Sequence, residues 1–168
     1  MITLGLDAGI QTTGWAILDG PDTLIEYGHL TPDDPRLRVP ERIESLCVGL
    51  EALLEEYRPE LIVLEWDSGH VNVRRHKGGG AGLATHGAVT AALWQRALYW
   101  ARRRGGVMVA TVDESAWTRG VAKEVRALAV AGQFPQYRPD RDRGRDSADA
   151  IGVAVWQITE LCVRRYAG

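Results

Sequence analysis

Four of the 22 acidic residues in this sequence sit where a carboxylate is out of place on a solvated face. Asp7 closes the apolar run ITLGL, and Glu65 closes the apolar run LIVL. Asp146 and Asp149 lie three apart in DSADAIGVA, so on a helix they share one face about a turn apart. Each acid alone has an ordinary reading: a turn residue at 7, an ion-pair partner at 65, a helix N-cap at 146. Together they imply more. Carboxylates gathered without cations repel and raise one another's pKa values, and a divalent metal relieves that repulsion. Oxygen donors with neither histidine nor thiolate suit Mg²⁺ or Mn²⁺ rather than zinc. Two such ions can activate a water and stabilise the leaving oxygen of a phosphodiester.

The acids need elements to carry them. ITLGLD (2–7), GWAILDG (14–20) and TLIEYGHL (23–30) read as three strands of an antiparallel meander, with Pro21-Asp22 in the second turn. A helix is expected from about Pro40 to Tyr57, because Ile43, Leu46, Cys47, Leu50, Leu53, Leu54 and Tyr57 keep helical spacing. ELIVLEW (60–66) is a strand of the kind covered on both faces. Residues 67–82 read as a glycine-rich basic loop, 83–104 as a long helix ending in three arginines, and 106–112 as a fifth strand. A short helix or turn is expected over 113–117, a helix over 120–131, a charged loop over 136–145 and a final helix over 146–166. This order predicts one compact α/β domain over residues 1–168, a five-stranded mixed sheet flanked by helices. Strand ends at one edge of such a sheet are where open α/β folds place their ligands, which would bring Asp7 and Glu65 together.

Composition is that of a soluble globular chain, with 45% hydrophobic and 25% charged residues and a net charge of −2. There is no global basic signal for nucleic acid. The positive charge is almost all arginine, Lys77 and Lys123 being the lysines, and arginine suits bidentate contact with phosphate. Arg74, Arg75, His76 and Lys77 beside Gly78, Gly79 and Gly80 form a second candidate site, a basic loop able to approach a phosphate backbone closely. A flexible loop with no ligand explains the same residues equally well. Arg138, Arg141, Arg143 and Arg145 either add phosphate contacts or form a solvated charged loop. His70, His76 and His86 have no metal-ligand spacing. Cys47 and Cys162 are expected to be buried reduced thiols, and five of the tryptophans to be packing residues. Thr12 and Thr13 either bond backbone near Asp7 or simply cap a turn. The acids of the first helix, Glu41, Glu44, Glu51, Glu55 and Glu56, read as its solvated face. No signal peptide or membrane span is visible, so a cytoplasmic setting is expected.

LGLDAGIQTTGWAIL, LIVLEW and DSADAIGVA, in that order, resemble the three acidic motifs of RuvC-type Holliday junction resolvases, which have the ribonuclease H-like fold. The resemblance covers nearly the whole chain. It implies that Asp7, Glu65, Asp146 and Asp149 are catalytic and bind Mg²⁺, with Mn²⁺ as a substitute and two ions per site. It implies paired hydrolysis of branched DNA leaving a 5′-phosphate and a 3′-hydroxyl, by a homodimer with the long helix 83–104 near its interface. GVAKEV resembles the family's G-x-x-x-K-x-x-V stretch with shorter spacing, which makes Lys123 a DNA-backbone contact, with Arg119 beside it. Arg74, Arg75 and Lys77 complete the expected DNA-binding set. The chain departs from the family in three places, one of them the arginine-rich linker 132–145 with Arg138, Arg141, Arg143 and Arg145. Asp7-Ala8-Gly9 replaces D-P-G, and the loop DSGHVNVRRHKGGGAG lacks the aromatic wedge that enters the junction. Three other readings stay open: a junction-binding structural protein that does not cut, a less junction-specific flap or fork nuclease, and a phosphotransferase of the actin and sugar-kinase type. The last needs two lobes and gives Glu65 and D-x-x-D-A no role.

Overall fold

The structure, a computed structural model, describes residues 1–66 and 79–167. Its elements run β1 (Ile2–Asp7), β2 (Thr13–Asp19), β3 (Thr23–Leu30), α1 (Val39–Tyr57), β4 (Leu61–Trp66), α2 (Gly79–Arg104), β5 (Met108–Asp113), α3 (Glu114–Thr118), α4 (Lys123–Gln133), a 3-10 turn (Arg143–Arg145) and α5 (Asp146–Ala167). The sheet order is β3-β2-β1-β4-β5. The expected meander pairs antiparallel, while β4 and β5 add to β1 in parallel. Leu6 pairs with Leu64, so the next residues, Asp7 and Glu65, lie side by side at the C-terminal ends of β1 and β4.

Period-two alternation divides the core between the two faces of the sheet. Leu4, Leu6, Ile17, Ile62 and Leu64 face α1 and α2, where they meet Leu46, Leu50, Leu54, Leu93 and Trp100. Ala16, Leu18, Leu61 and Val63 face α4 and α5, where they meet Val130, Phe134, Ile151 and Ile158. Each fully buried leucine or isoleucine contributes roughly 1.5–3 kcal/mol. The continuous LIVL run of β4 is buried on both faces, as its sequence requires. The helix α1 starts where Glu41 accepts from the Arg38 backbone N–H at 3.0 Å, and it stops at Arg58, in left-handed backbone before Pro59.

Two glycines let α5 lie against the sheet. A Cβ at Gly5 would stand 2.1 Å from the Ala150 carbonyl oxygen, and one at Gly14 would stand 2.2 Å from the Asp146 carbonyl. Side chains at either place would push the first turn of α5 away from β1 and β2.

Several boundaries differ from the sequence expectation. The helix α2 begins at Gly79, four residues early, because glycine lowers helical propensity without forbidding a helix. The strand β5 begins at Met108, since Gly105 and Gly106 both take positive φ and turn the chain. The helix α4 begins at Lys123, after Gly120, which also has positive φ. Cys47 is buried as expected, but Cys162, expected to be buried too, is exposed near the end of α5, where it borders a cleft with Met1 and Met108. The acids of α1 are not simply solvated: Glu51 accepts from Arg96 at 2.9 Å, and Glu55 accepts from the Trp100 indole at 2.8 Å, which ties α1 to α2. Among the described residues no helix is long and apolar enough to cross a membrane.

Candidate active site

Three of the four acids meet on one ammonium. Lys123, first residue of α4, places its Nζ 2.7 Å from Asp146, 3.0 Å from Asp149 and 3.2 Å from Asp7. Glu65 stands beside them, close enough to feel the charges of Asp7 and Asp149. Asp7 arrives from β1 and Glu65 from β4, while Asp146 and Asp149 come from the first turn of α5, pressed to the sheet at Gly5 and Gly14. The loop between β1 and β2 is closed by Thr13, whose hydroxyl donates to the Gly9 carbonyl and accepts from the Gly9 N–H.

Gathering these charges has a cost that shows in their acidity. Burial, with Asp149 and Asp146 adding to it, pushes the Asp7 carboxyl up to about 7 against the pull of Lys123. Burial pushes Glu65 up to about 9, and Asp7, Asp149 and Glu114 act in the same direction. Burial alone would lower the Lys123 ammonium, but Asp7, Asp149 and Asp146 outweigh it and hold it above the ordinary lysine range.

A second set of contacts holds the acids in place, and sequence reasoning did not find it. Arg126, one turn along α4 from Lys123, donates to both oxygens of Asp149 at 2.9 and 2.8 Å. Its guanidinium lies 5.0 Å from the centre of the Trp117 ring. Trp117 in turn donates its indole N–H to Glu65 at 3.1 Å. The ring lies against Gly152 of α5, where a Cβ would stand 2.5 Å from it. The available signal was the three-residue step from Lys123 to Arg126, which puts both cations on one helix face. Asp142 was also missed. It is 2% exposed and accepts from Tyr137 at 2.7 Å and from the backbone N–H groups of Ser147 and Ala148, with the His29 ring 2.7 Å away. Burial alone would raise Asp142, but the His29, Tyr137, Ala148 and Ser147 hydrogen bonds outweigh it and hold the carboxyl below its usual range. This carboxylate, not Asp146, anchors the start of α5.

Of the other expected site residues, Arg119 is the one described, and it does not join the cluster. Arg119 is exposed at the end of α3 in left-handed backbone, its N–H bonded to the Ser115 carbonyl. Arg74, Arg75 and Lys77 lie outside the described residues. So do His70 and His76, along with nearly all of the loop that lacks an aromatic.

Among the described residues no three histidine, cysteine, aspartate or glutamate side chains are already arranged around a metal position. The ammonium of Lys123 stands at the point that the three aspartates share. The donor chemistry nonetheless suits a hard divalent ion: oxygen ligands only, from four carboxylates, two of them pushed upward by burial.

The chain is 32% identical over 159 residues to the crossover junction endodeoxyribonuclease RuvC of Polynucleobacter asymbioticus, a match spanning 90% of this chain and 85% of that one. It is 33% identical over 159 residues to the RuvC of Polynucleobacter necessarius, with 90% and 84% covered. No family model matches. In fold it is similar to T. thermophilus RuvC in complex with Holliday junction substrate, with a TM-score of 0.69 at 21% identity over 92% of this chain and 90% of that one. It is also similar to the yeast mitochondrial Holliday junction resolvase, with a TM-score of 0.61 at 15% identity over 98% and 82%. These likenesses bear out the ribonuclease H-like fold that the resemblance to RuvC-type resolvases implied. With relatives this similar over nearly their whole length, the chain belongs to the RuvC family of crossover junction endodeoxyribonucleases.

Proposed function

We propose that this chain is a metal-dependent endonuclease that resolves Holliday junctions by paired phosphodiester hydrolysis, leaving 5′-phosphate and 3′-hydroxyl ends. The observation that carries this reading is the meeting of Asp7, Asp146 and Asp149 on one ammonium, with Glu65 beside them at the sheet edge. These four carboxylates would hold Mg²⁺, or Mn²⁺ in its place, as two ions. When bound, the ions activate a water and stabilise the leaving oxygen. The protein's own groups do the rest. Asp7 and Glu65 release protons as cations load, so loading weakens toward acid pH. With cations held there, the Lys123 ammonium would be released from the carboxylates and could meet a phosphate oxygen. Arg126 and Trp117 keep Asp149 and Glu65 aimed at the same point.

A homodimer suits paired cuts, because two sites related by a two-fold axis match a two-fold junction. The long helix α2 is the proposed neighbour of that interface. Arg74, Arg75, Lys77 and Arg119 are proposed to contact the DNA backbone. The loop without Phe, Tyr or Trp favours a second reading, a looser nuclease that also cuts forks or flaps. The test is incubation with a four-way junction, a Y-fork and a linear duplex, with and without Mg²⁺. Paired cuts in the junction that need Mg²⁺ support resolution. Equal cutting of fork and junction supports the second reading, and tight binding without cutting sinks both.

A further inference from the structure

Three parts of the chain converge on a cleft whose wall, at His29, lies 3.2 Å from the Ser147 hydroxyl in the first turn of α5. Thr12 comes from the loop that leaves Asp7, His29 and Thr31 from the end of β3, and Asp140, Arg141 and Arg143 from the segment before α5. The cleft measures about 410 Å³. From the geometry we infer that it is a subsite for a backbone phosphate of the DNA strand whose neighbouring phosphate lies at the carboxylates. This inference rests on the endonuclease reading and deepens it.

The first support is charge without a partner. Arg36, Arg38, Arg96, Arg126 and Arg145 each pair with a carboxylate. Among the described residues neither Arg141 nor Arg143 has an acid within ion-pair distance, although Asp140 lines the same cleft. Two free guanidiniums against one carboxylate leave the cleft cationic, and guanidinium matches phosphate in a bidentate way.

The second support is anchoring. Asp142, between the two arginines, points inward and is held by Tyr137, His29 and the backbone of Ser147 and Ala148. Further turns join Arg141 N–H to the Arg138 carbonyl at 3.0 Å and Arg145 N–H to the Asp142 carbonyl at 3.1 Å. The alternation Arg-Asp-Arg thus puts one side chain in the core and its two neighbours out over the cleft. Their backbone is fixed before any ligand arrives, which lowers the ordering cost of binding.

The third support is position. Asp142 is bonded to Ser147 and Ala148, the residues that follow Asp146, and the Ser147 hydroxyl lies 3.2 Å from His29 in the cleft wall. The cleft wall is thus bonded to the turn that carries Asp146, and the proposed strand, with one phosphate at the carboxylates, would carry its next phosphates to this opening.

The experiment compares wild type, the double variant Arg141→Ala/Arg143→Ala and the control Arg138→Ala, which removes a charge from the same segment outside the cleft. All three arginines are exposed, and matching urea midpoints confirm equal folding. Binding to a four-way junction is measured in EDTA across a salt series. It is then repeated with single methylphosphonates, which neutralise one phosphate at a time near the cut. In the double variant the slope of log affinity against log salt should fall by about two, with affinity at 0.1 M salt falling by roughly 60-fold. Wild type should lose affinity at one neutralised position, and the double variant should be indifferent to it. A wild-type slope in the double variant, an equal loss in Arg138→Ala, or a methylphosphonate effect that survives in the double variant would overturn the subsite. Failure of wild type to cut in Mg²⁺ would overturn the endonuclease reading instead, which this binding assay in EDTA does not measure.

Discussion

Changing Asp7 to asparagine should stabilise the metal-free protein at alkaline pH while removing its function. Asp7 stays neutral in the folded chain up to about 7, whereas in the unfolded chain it ionises above its ordinary value of 3.8. Across that window the unfolded state binds fewer protons, so wild-type stability falls as pH rises through it. A difference of about 3 between the two values corresponds to about 4 kcal/mol. The side chain is 15% exposed, and its interaction with Lys123 is lost in the variant, so roughly 1–3 kcal/mol is expected. Asparagine keeps the shape and never ionises. Urea unfolding in EDTA at pH 4 and pH 8 reads the effect directly. Near pH 4 the two proteins should have similar stability, and at pH 8 the variant should unfold at higher urea. A variant that is equally or more destabilised at pH 8 than at pH 4 would refute the claim that the site gathers its carboxylates at the expense of stability.

Lys123→Ala should destabilise the metal-free protein by roughly 1–3 kcal/mol, since it leaves three carboxylates without their shared cation. Added Mg²⁺ should raise its urea midpoint more than that of wild type. Arg126→Ala should bind junctions nearly as wild type does but cut roughly 10–100-fold more slowly, because it frees Asp149 and loosens Trp117 over Glu65; single-turnover rates at saturating DNA check this. Gly14→Ala should destabilise by about 3 kcal/mol and lower cutting as well, because the new methyl meets the Asp146 backbone, as unfolding and cleavage measured together will show.

The strands and the four acids were legible because their signals are local. An apolar run of six residues ending in a carboxylate is visible without knowing its neighbours, and so is the D-x-x-D step on a helix. What the sequence hid depends on contacts between distant residues. Asp142 sits in QYRPDRDRGR, where every neighbour looks solvated, and only the folded chain turns it under α5 to meet Tyr137 and His29. Trp117 reads as a packing residue until its indole N–H is seen at Glu65, 52 positions away. Lys123 was picked out as a DNA contact, but the fold sets it among the acids, a role its helix position alone does not reveal. Glu51 and Glu55 look like a solvated helix face because their partners, Arg96 and Trp100, lie 45 residues on. Cys162 failed in the opposite way: its helical phase is apolar, but it faces an open cleft beside Met1 and Met108 rather than the packed core.

Cleavage of an end-labelled four-way junction in Mg²⁺, by wild type and by Asp7→Asn, Glu65→Gln, Asp146→Asn and Asp149→Asn in parallel, tests the central claim most directly. The account predicts that wild type makes paired cuts that EDTA abolishes, and that each amide variant still binds the junction while its cutting falls to background. Wild-type cutting in EDTA, or a wild-type rate in any of the four variants, would contradict it.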